Sequence, residues 1–160
     1  MKRYPLQTLV QLRAHRTETA RMLVLEKQRA AQQCRDACTR IEGEVTGLQT
    51  DRQSHRAQLL APPPSGVPWP AALSQREAHI DLLAEHIVAA QQRLAAAQET
   101  LRLAEVAVQE ARDAFFRAKG RQDALEKRRE VWRGEQHSAL ARQEEAIAED
   151  LLQARFIARH

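Results

Sequence analysis

Apolar residues in the first sixty positions recur at alternating steps of four and three. The track runs Leu6, Val10, Arg13, Thr17, Ala20, Val24, Lys27, Ala31, Cys34, Cys38, Ile41, Val45, Leu48, Arg52, His55 and Leu59, and eleven of its sixteen members are apolar. A second track repeats every seven residues through Ile80, Ile87, Leu94, Leu101, Val108 and Phe115. Three residues further on, Leu83, Ala90, Ala97, Ala104, Ala111 and Ala118 accompany it. A mean period near 3.5 is the seam of a coiled coil with a left-handed supercoil. Large side chains on one track and alanines on the other permit close helix approach.

Proline divides the pattern once. Pro62, Pro63, Pro64, Pro68 and Pro70 crowd one segment, and a helix cannot cross it because each lacks an amide donor and clashes with the preceding turn. The expectation is an all-α chain: a helix over 5–61, a linker over 62–73 and a longer helix over 74–159, together one coiled-coil domain. Pro5 suits a first helical position. Ser74-Gln75-Arg76-Glu77 reads as a capping box, with Leu73 and Ala78 as its staple. Helices of roughly 85 and 130 Å need partners to be stable. A short linker predicts an antiparallel hairpin with Ala61 near Ser74 and Pro5 near Glu130.

In that register the first track of helix 2 turns polar after Phe115, through Gln122, Arg129, Gln136 and Gln143. From about residue 131 the second helix should overhang the first. The overhang keeps an apolar stripe of Trp132, Leu140, Ile147 and Leu151 and ends in Phe156-Ile157, with Gly134 at its root. Such a stripe predicts a partner from another chain. A bend back onto the hairpin and homodimerisation are the alternatives.

Composition narrows the function classes. The 160 residues include only five Gly and six aromatics, too few for an ordinary enzyme core with its loops. Alternating β-branched runs are missing, and no stretch approaches the ~18 apolar residues of a membrane span. The N-terminus lacks the apolar region of a secretory signal, so the expected compartment is the cytoplasm. Cys34 and Cys38 lie on the seam, so they read as small core residues rather than a metal site. The six histidines are scattered, no phosphate loop or nucleophile elbow is present, and no cofactor or small-molecule substrate is implied. Asp36, Asp113 and Asp123 precede Arg40, Arg117 and Lys127 by four residues, the spacing of helix-stabilising pairs.

The net charge of +4 is uneven. Residues 1–35 hold eight Lys/Arg against Glu18 and Glu26, and residues 117–133 hold seven against Asp123, Glu126 and Glu130. The antiparallel register brings these stretches together as one basic end. Such a field attracts acidic proteins, nucleic acid or lipid headgroups. Nucleic acid is disfavoured because no aromatic stacking platform or recognition motif accompanies the charge. Membrane insertion is disfavoured because the apolar face is the hairpin seam. Trp69, in the Pro-rich segment, is either an exposed anchor for a partner or a plug between Leu60 and Leu73.

The opening Tyr4-Pro5-Leu6-Gln7-Thr8-Leu9-Val10-Gln11-Leu12-Arg13 resembles the start of the FliJ/YscO (SctO) proteins of flagellar and type III secretion systems. The size, the two long helices and the Arg/Gln/Ala-rich composition are similar to the YscO-type branch, from whose flagellar relatives the prolines at 62–70 depart. The resemblance implies a non-enzymatic antiparallel coiled coil that enters the hexameric secretion ATPase, promotes its activity, points towards the cytoplasmic ring of the export gate and escorts export chaperones. On that reading Lys2, Arg3, Arg13 and Arg16, with Arg155 and Arg159, are the candidates for the ATPase ring. Arg128, Arg129 and Arg133 are second choices, and Trp69 and Arg76 are candidates for the gate. The alternative is a generic coiled-coil scaffold or a basic nucleic-acid-binding arm.

Overall fold

The computed structural model describes residues 3–159. Two helices dominate, α1 (Gln7–Ala57) and the longer α2 (Trp69–Ile157), and the described residues contain no strand. By its contacts the chain forms two compact units, residues 24–111 and residues 3–23 with 112–159.

In the first of these units the predicted seam is the core. Ala31, Cys38 and Val45 of α1 are buried, as are Ile80, Leu83, Ile87, Ala90, Val108 and Ala111 of α2. Ala31 of the α1 track and Ala90 of the alanine track are sealed almost completely, at 1 % and 0 % exposure. Burial of an Ile or Leu at such positions contributes about 1.5–3 kcal/mol each. The pairing is antiparallel: Arg93 bridges to Glu44 at 2.9 Å, and Arg35 to Glu105 at 3.4 Å. His55 and His79 meet edge to face at 4.5 Å.

The reversal between the helices differs from the expected 62–73. Helix α1 stops at Ala57, and α2 begins at Trp69 rather than Ser74. The Ala72 amide donates to the Pro68 carbonyl at 3.0 Å, so Pro68 acts as the cap and Pro70 falls in the first turn, where a missing N–H is tolerated. Ser74 therefore lies inside α2 and caps nothing. The chain turns through Pro64-Ser65-Gly66-Val67, closed by the Val67 amide on the Pro64 carbonyl at 3.2 Å. Gly66 has φ +87°, as the third position of a type II turn requires. Arg76 reaches from α2 to the end of α1, its Nη1 donating to the carbonyls of Ala61 (2.6 Å), Leu59 (2.9 Å) and Gln58 (3.4 Å). Those carbonyls belong to the turn that follows α1, where the Gln58 carbonyl also accepts from the Ala61 amide at 3.1 Å, and a guanidinium beside the C-terminal end of α1 complements the helix dipole.

In the other unit α1 enters through a turn, the Gln7 amide donating to the Tyr4 carbonyl at 3.1 Å, so the helix starts two residues after Pro5. Its core is thinner: Val10, Thr17 and Leu125 are buried. The Thr17 hydroxyl is satisfied by the Arg13 carbonyl at 3.0 Å. Gln122, Arg129, Trp132 and Gln136 are half-buried, and the Tyr4 ring lies 5.3 Å from the Trp132 ring. Packing thus continues to Gln136 despite the polar track, because the long stems of Gln and Arg cover apolar surface. From His137 to Arg159 every residue is exposed, so the overhang begins at 137 and not near 131.

Candidate functional site

The unit of residues 3–23 and 112–159 carries fifteen Lys/Arg against ten Asp/Glu. Arg3, Arg16, Arg128 and Arg133 are exposed, and with Arg13 they make no ion pair among the described residues. Lys2 lies outside the described residues. The Tyr4–Trp132 contact and the shared groove described below bring the N-terminal segment beside 124–135. Helix geometry sorts the candidates. Arg13 and Arg129 occupy seam positions and are half-buried, and the Arg129 Nε is buried without a hydrogen-bond partner. Arg155 and Arg159 are exposed near the C-terminal end of α2.

Some charges are already engaged. Arg21 grips Glu18 with two bonds of 2.6 and 2.9 Å, and that hydrogen bonding holds the Glu18 carboxyl below the usual range. Lys119 pairs with Asp123 at 3.0 Å, which raises the Lys119 pKa chiefly through the hydrogen bond. Asp123 thus uses the lysine four residues before it, and not Lys127 as its spacing predicted. Asp36 likewise accepts from Gln32 at 2.9 Å. Both alternatives lie one turn towards the N-terminus, the direction in which helical side chains lean.

Between the two chain segments lies a groove of about 680 Å³. Leu6 and Val131 contribute apolar walls, 41 % and 56 % exposed, and Lys127 and Arg128 form a cationic edge. Leu6 lies on the seam track that the period draws, whereas Lys127 and Val131 stand at outward positions of the same heptads, which a track of buried residues does not single out.

Trp69 and Arg76 belong to the other unit. Trp69 is the first residue of α2 and is 49 % exposed, beside a turn whose Leu60 and Val67 are also exposed, at 77 % and 37 %. Arg76 is half-buried and committed to the carbonyls at the end of α1. Its evident work is to hold the turn that presents Trp69.

Among the described residues no three His, Cys, Asp or Glu side chains converge as a metal site would require. No described helix is long and apolar enough to cross a membrane. Cys38 is buried and Cys34 half-buried on the seam.

Two long helices, paired antiparallel in each unit and joined by one proline-rich turn, define the class: a helical hairpin with a basic, groove-bearing surface. The chain belongs to the YscO-like family, which it matches over residues 1–160, and that family belongs to type III secretion. In fold it is similar to CT670 of Chlamydia trachomatis, whose solved structure was described as that of a candidate YscO homologue. The TM-score is 0.75 at 21 % identity, covering 96 % of this chain and 94 % of that one. No curated protein matches the chain.

Proposed function

We propose that this protein is the central-stalk component of a type III secretion apparatus. It acts without catalysis of its own, by inserting into the hexameric export ATPase and biasing that ring. Family membership over the whole chain carries the reading. The uncompensated cations Arg3, Arg13, Arg16, Arg128 and Arg133 support the ring contact, for which Lys2, Arg129, Arg155 and Arg159 are further candidates. An asymmetric insert cannot meet six subunits alike, so it favours some nucleotide states over others through differential contacts. Trp69, held by the Arg76-buttressed turn, is the proposed contact for the cytoplasmic ring of the export gate. Export chaperones are further partners, and the site of action is the cytoplasmic face of the secretion apparatus.

The test is ATP turnover by the cognate secretion ATPase as this chain is added. Stimulation should saturate near one chain per six ATPase subunits, as a single stalk in a hexamer requires. Arg13→Glu combined with Arg16→Glu should abolish it while far-UV circular dichroism stays helical. Full stimulation by the doubly substituted chain would overturn the assignment of the ring contact. Absence of any stimulation or co-migration by the unsubstituted chain would remove the stalk reading and leave a coiled-coil scaffold.

A further inference from the structure

A second groove, of about 530 Å³, lies within the unit of residues 24–111, near the end of α1. Gln49, Arg52, Gln53, Arg56 and Ala57 line it, with the buried Ile87 of α2. The four polar members stand at i, i+3, i+4 and i+7, so they share one helix face over two turns, about 10 Å in length. Arg52 is half-buried and the other three are exposed.

The positive charge of this groove is unspent. Other arginines of the same unit pair across the seam, Arg93 with Glu44 and Arg35 with Glu105. Arg52 and Arg56 make no ion pair among the described residues. The Arg52 Nε is buried without a hydrogen-bond partner. A buried donor without an acceptor is a cost that a ligand oxygen can remove. Two guanidinium forks beside two carboxamides suit an oxyanion.

Shape and lining choose its carrier. Small ligands are buried in concave pockets, whereas this trough is open, with Gln49, Gln53, Arg56 and Ala57 all exposed. Unpaired nucleic-acid strands need aromatic stacking surfaces, and no aromatic side chain lines the groove. Two arginines one turn apart match two carboxylates one turn apart on a helix laid alongside, because the spacing is the same on both.

We propose that this groove binds an acidic helical segment of another protein, presenting two carboxylates at i and i+4. They engage Arg52 and Arg56, while Gln49 and Gln53 serve polar groups beside them. A carboxylate on the Arg52 fork supplies the acceptor that Nε lacks. None of the cations assigned to the ATPase ring lines this groove, so the inference does not rest on the secretion reading.

The experiment is an NMR titration of the full ¹⁵N-labelled chain with an alanine-based helical peptide carrying two Glu at i and i+4. The signals followed are the Arg52 Nε–H and the side-chain amides of Gln49 and Gln53. Saturable shifts are expected at low salt, with a Kd on the order of tenths of a millimolar that weakens as salt rises. Arg56→Gln should weaken binding about threefold, and Arg52→Gln about tenfold. Arg40→Gln removes an equally exposed charge of α1 outside the groove and should leave the Kd unchanged. Far-UV circular dichroism checks that each variant is helical. Arg56 is exposed, so its substitution spares the seam and decides the matter should Arg52→Gln unfold. No shift at these three side chains, equal shifts from the peptide with Gln in place of Glu, equal weakening by Arg40→Gln, or a stronger response there to tripolyphosphate would each overturn the proposal.

Discussion

Replacing Arg76 by methionine tests how the hairpin turn is held. The side chain keeps most of its apolar stem but loses its charge and the donor that serves Gln58, Leu59 and Ala61. A hydrogen bond involving a charged group contributes about 1.5–3 kcal/mol. Two of the three contacts are short and one is long, all share one nitrogen, and the residue is only half-buried, so water replaces part of the loss. The expected cost is therefore about 1–2 kcal/mol, part of it from the helix dipole. It should fall on the last turn of α1. Amides around 54–61 should exchange roughly 5–30 times faster, and the thermal midpoint should drop by about 3–6 °C. Arg76→Lys should lie between the two, because an ammonium keeps the charge and a single donor nitrogen but is more strongly hydrated and sits on a shorter side chain. Unchanged exchange at 54–61 in the Arg76→Met chain would refute the claim that this guanidinium holds the turn after α1.

Ala90 is fully buried where the helices approach closely, so Ala90→Leu should overpack the seam and destabilise by about 1–3 kcal/mol, read by thermal melting. The Glu18 and Glu99 carboxyls are held below their ordinary range by Arg21 and Arg102. Their contribution is present above the unfolded carboxylate pKa and lost as pH falls through the lower folded value, so helicity should decline on acidification below about pH 4. Glu18→Gln and Glu99→Gln should flatten that decline in an acid titration followed by circular dichroism. Residues 137–159 include no buried side chain, so on removing the residues after Gln136 the thermal midpoint should move by less than about 2 °C while helical signal falls.

The heptad tracks made most of the fold legible, because a seam of Ile and Leu opposite Ala is specified by burial alone. Cys38, Val45, Ile87 and Ala90 lie where the period put them. The turn was less legible. Proline reads as a helix breaker, yet at Pro68 and Pro70 it opens one, since the first turn has no use for the missing amide. A competent capping box at Ser74 was outbid by that entry. The end of packing was also displaced, because Gln122, Arg129 and Gln136 were counted as polar although their stems are long enough to cover a neighbour. Of the candidate contacts, the heptad track already set Arg129, which faces the seam, apart from Arg128, which is exposed. One residue of rotation decides that.

The antiparallel pairing also sets an order of events. Arg76 and Leu59 are 17 residues apart in sequence, Arg93 and Glu44 are 49, and Arg35 and Glu105 are 70. The Tyr4–Trp132 contact closes a span of more than a hundred. Loop-closure entropy grows with the span, so pairing is expected to start at the proline-rich turn and zip outward. During synthesis Leu6 and Val10 must then wait for almost the whole of the chain before they find their partners. Substitutions at Leu73 or Ile80 should accordingly slow folding, and those at Val10 or Leu125 should chiefly speed unfolding. Stopped-flow kinetics with the opposite ranking would place the nucleus elsewhere.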